Sequence, residues 1–220
     1  MVEAVVFDVG ETLVDETRVW GQWADWLGVP RLTFMAALGA VIARGGSHRE
    51  VFELFQPGMD VEAEARRHGV AGRSDLLSLD DLYPDALGCL RDLAADGYRL
   101  GIAANQPAPA AGVLRDMAID FELIATSAAW GISKPAAGFF ERIADEMRLP
   151  PGAIAYVGDR LDNDVLPAQA AGMVGVFVRR GPWAWIQAGR ADPPEAALVV
   201  EDLGELPVRL RRSPFARRSS

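Results

Sequence analysis

The sequence predicts an α/β protein, a Rossmann-like parallel sheet flanked by helices, with a helical cap inserted after the first strand. Three observations predict it. The run Ala4-Val5-Val6-Phe7 is short, apolar throughout and followed by Asp8 and a turn at Gly10, which reads as a strand buried on both faces. From residue 82 onward, strand-like runs alternate with helical runs of about ten residues, the pattern of right-handed crossovers in a parallel sheet. Between these two parts lies a block, residues 15–81, that reads as mostly helical.

In the block, Val19, Trp20, Trp23, Trp26 and Leu27 recur at spacings of three and four and are stopped by Gly28 and Pro30. Leu32 to Arg44 is a second helix ended by Gly45-Gly46, Val51 to Phe55 a third cut by Pro57-Gly58, and Val61 to His68 a short polar-faced fourth. The tryptophans and Phe34 are expected to form the core of this cap rather than a substrate cage. Tyr83-Pro84-Asp85 then opens a helix over 86–95, closed by Gly97. Strands are expected at 98–104, 121–126, 154–157, 174–178 and 197–200, with helices at 111–117, 138–147 and 165–171 between them. The core therefore spans residues 1–14 and 82–208. The end, residues 209–220, is rich in arginine and poor in apolar residues, and is expected to be disordered.

With 220 residues, half of them hydrophobic, the chain can bury one domain core plus a modest insertion. A net charge of −9 argues against a nucleic-acid or membrane-surface binder. The single cysteine, Cys89, excludes an internal disulfide and reads as a small buried hydrophobe. The first residues lack a basic leader, and no run approaches the roughly 18 apolar residues of a membrane span, so a cytoplasmic protein is expected. A monomer and a homodimer are both compatible with the sequence.

Chemistry concentrates where strands end, since ligands of open parallel sheets bind at the carboxyl ends of the strands. Asp8 ends the first strand, and Thr12 follows with a hydroxyl. Gly158-Asp159 ends the fourth, and acidic residues up to Asp164 crowd the loop behind it. Hard divalent cations want oxygen ligands, and Asp159 and Asp164 can supply carboxylates. The one lysine of the chain, Lys134, lies in a turn before Pro135 upstream of that acidic loop.

These stretches resemble, in order, motifs I, III and IV of the haloacid dehalogenase-like (HAD) hydrolase superfamily, over about residues 3–203. The resemblance implies a helical-cap phosphatase. Asp8 would attack phosphorus to form an aspartyl-phosphate, Thr12 support the phosphoryl group or the cap hinge, and Lys134 offset the repulsion between carboxylate and phosphate. Asp8, the Gly10 carbonyl, Asp159 and Asp164 would hold Mg²⁺. The substrate would be a small phosphorylated metabolite.

Two positions depart from the family pattern. Motif II has Ser or Thr where this chain has Ala104, leaving backbone N–H groups and the amides of Asn105 and Gln106 to bind phosphate. Motif I has a second aspartate where this chain has Gly10; the proton transfer it performs is worth ~10²–10⁴-fold. Glu11, next in sequence, is a candidate substitute. Two other readings stay open: a non-catalytic binding protein on a HAD scaffold, and a haloacid dehalogenase-type hydrolase, a branch that lacks the second aspartate but ordinarily also the paired motif IV acids.

Overall fold

The computed structural model describes residues 1–65, 67, 77–188 and 196–216. Its centre is a parallel sheet of six strands, β1 (Ala4–Phe7), β2 (Arg99–Ala104), β3 (Phe121–Thr126), β4 (Ile154–Gly158), β5 (Val174–Val178) and β6 (Leu198–Val200), in the order β3-β2-β1-β4-β5-β6. All six stand where the apolar runs predict them.

β1 is fully buried because both of its faces are covered. Val5 and Phe7 pack with Leu90, Leu93 and Val157 on one side, and Val6 with Phe139, Phe140 and Tyr156 on the other. The chain runs outward from β1 to β3, then returns to start again at β4 on the opposite side of β1. This is the topological switch point at which sheets of this kind bind ligands. The register pairs Phe7 with both Ile102 and Val157, so the residues following β1, β2 and β4 emerge at one edge.

The inserted block expected as a cap consists of α1 (Thr17–Trp26), α2 (Arg31–Ala43), α3 (Glu50–Phe55) and α4 (Val61–Ala65), between β1 and β2. Its core is aromatic, as expected: Trp23 and Phe52 meet edge to face with centroids 4.8 Å apart, and Phe34 stacks on Phe55 at 5.6 Å. The expected continuation of α4 to His68 lies largely outside the described residues. Behind the cap, α5 (Ala86–Ala95), α6 (Ala110–Arg115), α7 (Ser127–Trp130), α8 (Ala137–Met147) and α9 (Leu166–Ala170) follow in the core. Leu77 is already buried in the core, so the chain rejoins it before residue 82. Cys89 is buried, and burial together with the charges of Asp85 and Asp92 pushes its thiol up to about 12, as a small hydrophobe requires. No single helix among the described residues is long and apolar enough to cross a membrane.

Three helices were not expected, the short α7 among them. α10 (Gly181–Ala188) follows β5 and carries Trp183 into the aromatic core of the cap, so the core domain supplies part of the cap's packing. The arginine-rich end corrects the expectation of disorder: α11 (Leu206–Arg212) is ordered, Leu206, Pro207 and Leu210 are buried, and the Val2 N–H donates to the Phe215 carbonyl at 2.9 Å. Apolar residues spaced by three and four on one face outweigh the charge on the other, and Arg209 and Arg211 pair with Glu205 and Asp96. Residues 217–220 lie outside the described residues.

Candidate active site

At the carboxyl edge of the sheet, under the cap, lies a cleft of about 230 Å³ lined by Asp8, Gly10, Glu11, Glu16, Lys134, Asp159, Asn163 and cap residues including Trp20 and His48. Asp8 leaves β1, and its backbone N–H donates to the Val157 carbonyl at 2.9 Å, which ties it to β4. Lys134 is buried between two carboxylates, with Nζ 2.7 Å from Asp8 Oδ1 and 2.6 Å from Asp164 Oδ1. Burial works against its ammonium, but Asp164 and Asp8 outweigh it and hold Lys134 well above the usual lysine range. The lysine is therefore a fixed positive charge.

Asn105 sets the lysine's position. Its side-chain carbonyl accepts from the Lys134 N–H at 2.9 Å, and its amide donates to the Lys134 carbonyl at 3.1 Å, clasping the turn at both ends of one residue. Expected to bind phosphate, the Asn105 amide is thus engaged with Lys134, although Asn105 still borders the cleft. Ala104 is fully buried at the end of β2 and does not line the cleft.

The loop after β4 enters a single π-helical turn, Leu161–Val165, before α9, and the N–H groups of Asp164 and Val165 both donate to the Arg160 carbonyl. Such turns are frequent at functional sites because they re-aim side chains. Here the turn folds Asp164 back against the strand end: a Cβ on Gly158 would stand 2.5 Å from the Asp164 side chain, so only glycine permits this approach. Asp164 Oδ2 accepts from the Arg160 N–H at 3.1 Å. Burial, opposed by Lys134 and reinforced by Asp8, pushes its carboxyl up to about 6.

Asp159 is the least satisfied of the acids. It is buried, and its Oδ2 has no hydrogen-bond partner among the described residues. Burial first, and then the charges of Asp164 and Asp8, hold its carboxyl well above the usual range. Asp8, Asp159 and Asp164 each offer an oxygen within 4.8 Å of the others. An all-oxygen set with one orphaned buried carboxylate oxygen fits a hard divalent cation such as Mg²⁺.

Thr12 and Glu11 stand differently from expectation. Thr12 is fully buried and does not line the cleft; its carbonyl accepts from Arg180, which pairs with Asp85 and stacks over the Tyr83 ring at 4.2 Å. Glu11 adopts a left-handed backbone, φ 53°, uncommon for a residue with a side chain. Both of its oxygens are engaged: Oε2 accepts from Tyr83 Oη at 2.6 Å, and Oε1 from the Glu16 N–H at 3.0 Å. It braces the turn rather than standing free for proton transfer.

Glu16, the residue before α1, was not singled out by the sequence. Its carboxylate borders the cleft and accepts from the Trp20 indole N–H at 3.2 Å. Burial, then the charges of Glu11 and Asp8, push it up to about 8. Nothing local distinguishes Glu16 from the other acids of the cap; only the path of the turn brings it to the cleft.

The chain belongs to the haloacid dehalogenase-like hydrolase family, whose model matches residues 2–172. It is 27% identical, over an alignment of 203 positions that covers 83% of this chain and 86% of the relative, to glyceraldehyde 3-phosphate phosphatase from Methanopyrus kandleri. Among solved structures, it resembles a HAD-superfamily hydrolase of subfamily IA from Geobacter sulfurreducens, with a TM-score of 0.67, 23% identity, and coverage of 93% of this chain and 94% of that one. It resembles the L-2-haloacid dehalogenase of Xanthobacter autotrophicus with a TM-score of 0.60, 21% identity, and coverage of 96% and 99%. Phosphatases and dehalogenases share this fold, so the fold alone leaves the reaction open.

Proposed function

We propose that this hydrolase is a Mg²⁺-dependent phosphatase of small phosphorylated metabolites, with Asp8 as nucleophile. The observation that carries the reading is the cluster of Asp8, Asp159 and Asp164 within 4.8 Å of one another around the Lys134 ammonium. Buried like charges at this spacing are costly without a counter-charge, and one lysine does not balance three carboxylates. A displacement at a neutral carbon bearing halide has no need of this donor set; a dianionic phosphoryl group has.

Mg²⁺ held by Asp8, Asp159 and Asp164 would supply positive charge for the phosphoryl oxygens. The Asp8 carboxylate attacks phosphorus in line with the leaving oxygen, forming an aspartyl-phosphate that water then hydrolyses. Lys134 orients Asp8 through their ion pair and offers its charge to a phosphoryl oxygen. Asn105 holds Lys134 in place. The cap residues Trp20 and His48 and the core residue Trp183 close the far side of the cleft and limit water there.

The test is phosphate release from a panel of sugar, triose and aryl phosphates, glyceraldehyde 3-phosphate included because a relative bears that name. Wild type and Asp8→Asn are compared with Mg²⁺ and with chelator. Metal-dependent turnover that Asp8→Asn abolishes is the expected result. Halide release from a haloacid panel with no phosphate release from any ester would replace the reading by the dehalogenase one, and no turnover on either panel by that of a binding protein.

A further inference from the structure

The side chain missing at position 10 has its space filled from elsewhere in the chain. A Cβ built on Gly10 would come within 2.8 Å of Glu16 Cδ and closer still to Oε1. The Glu16 carboxylate therefore stands where a side chain on residue 10, two residues after Asp8, would begin. It is held there from two sides. The Trp20 indole donates to Oε2 at 3.2 Å, and the Glu16 N–H is fixed to Glu11 Oε1 at 3.0 Å. Oε1 accepts no hydrogen bond among the described residues, and Glu16 borders the same cleft as Asp8, Lys134 and Asp159.

We infer that Glu16 is the proton-transfer residue of this cleft, a catalytic carboxyl supplied from the start of the cap in place of the one absent at Gly10. The inference rests on the phosphatase reading. As the Asp8 carboxylate bonds to phosphorus and the bond to the leaving oxygen breaks, the Glu16 carboxylic acid gives its proton to that oxygen and the product leaves as an alcohol. In the second half, water attacks phosphorus and gives a proton to the Glu16 carboxylate. The bond from Asp8 to phosphorus then breaks, releasing inorganic phosphate and returning both side chains to their starting states. Because Glu16 immediately precedes α1, proton transfer depends on the cap being seated.

The experiment compares wild type, Glu16→Gln, Glu16→Ala and the double variant Glu16→Ala with Gly10→Asp, each checked for an unchanged melting curve. Two substrates are used with Mg²⁺, an alkyl phosphate with a poor leaving group and dinitrophenyl phosphate, whose leaving group needs no proton. For Glu16→Gln, kcat on the alkyl phosphate is expected to fall ~10²–10⁴-fold, the usual worth of a general acid. On dinitrophenyl phosphate the first turnover is expected to stay at the wild-type rate while later turnovers slow and aspartyl-phosphate accumulates. Gly10→Asp in the Glu16→Ala background fills the emptied space and is expected to restore at least about tenfold on the alkyl phosphate, a rescue that a mere helix-start role for Glu16 does not allow.

Glu16→Gln turning over both substrates like wild type overturns the inference and leaves the phosphatase reading standing. Equal loss on both first turnovers without rescue also overturns it, by assigning Glu16 a structural role. A wild type inactive on every phosphate ester overturns both.

Discussion

The cleft has two walls built on different physics. On the sheet side, Asp8, Lys134 and Asp159 come from strand ends and tight turns, and Lys134 is paired with Asp8 at 2.7 Å and with the buried Asp164 behind it at 2.6 Å. On the cap side, Trp20, His48 and Trp183 meet through rings: Trp20 lies 5.9 Å from His48 and 6.3 Å from Trp183. The first wall is directional, and a small displacement there forfeits charge pairing. The second is apolar and tolerant, and Trp183 reaches it from the core. The groups proposed to react therefore sit on the wall whose geometry is fixed, and the apolar wall can be re-shaped without disturbing them. Glu16 lies at the seam between the two.

The contrast can be tested, beginning with the largest effect. Asp8→Asn removes the proposed nucleophile and is expected to lower turnover by more than ~10⁴-fold, on the scale of other single nucleophile losses. Steady-state phosphate release measures it, and residual activity near wild type would remove Asp8 from the chemistry.

Next, Lys134→Ala leaves buried carboxylates without their counter-charge, and is expected to cost about 3–5 kcal/mol of stability in a urea titration. Added Mg²⁺ is expected to return part of the loss by neutralising the same acids. A variant as stable as wild type would mean that the sheet-side wall does not depend on its ion pairs.

Phe34 is fully buried in the cap, and Phe34→Ala is expected to cost about 3–5 kcal/mol at most, with the loss confined to that region. Amide hydrogen exchange separates the walls here: protection should fall in α1 to α3 and persist in β1 and β4. Equal loss in the sheet would show the two to be one cooperative unit.

The smallest effect is an acid sensitivity of the cap. Burial, then the positive charges of Arg160 and Arg49, push the His48 imidazole down to about 4. The unfolded chain takes up a proton near ~6.5 that the native cap resists, so stability is present above that pH and is lost as pH falls through the window toward the native value. Tryptophan fluorescence followed through an acid titration should report this loosening, and His48→Gln should flatten it. An unchanged slope in that variant would assign the acid sensitivity to other groups.

The sequence by itself determined the sheet and the order of its acids. Six apolar runs bounded by turns locate the strands, because burial on both faces is written in consecutive residues. Parallel strands bring their carboxyl ends to one edge, so Asp8 and Asp159 were readable at that edge despite a separation of 151 residues, and the family resemblance implied that they share a site. Lys134 was readable for a different reason, as the only lysine in the chain and one standing before a proline.

Only the tertiary structure decided what each side chain faces. Thr12 turns inward while Glu11, with its left-handed backbone, is tied down by Tyr83, a residue 72 positions away. The helix over Leu206–Arg212 depends on the core cluster in which Leu206 and Leu210 are buried, and a count of arginines does not register that packing. Glu16 reaches Gly10 because the turn between them doubles back. Periodicity encodes which residues share a face of a regular element, but a turn has no period, and its direction is set by contacts made elsewhere in the fold.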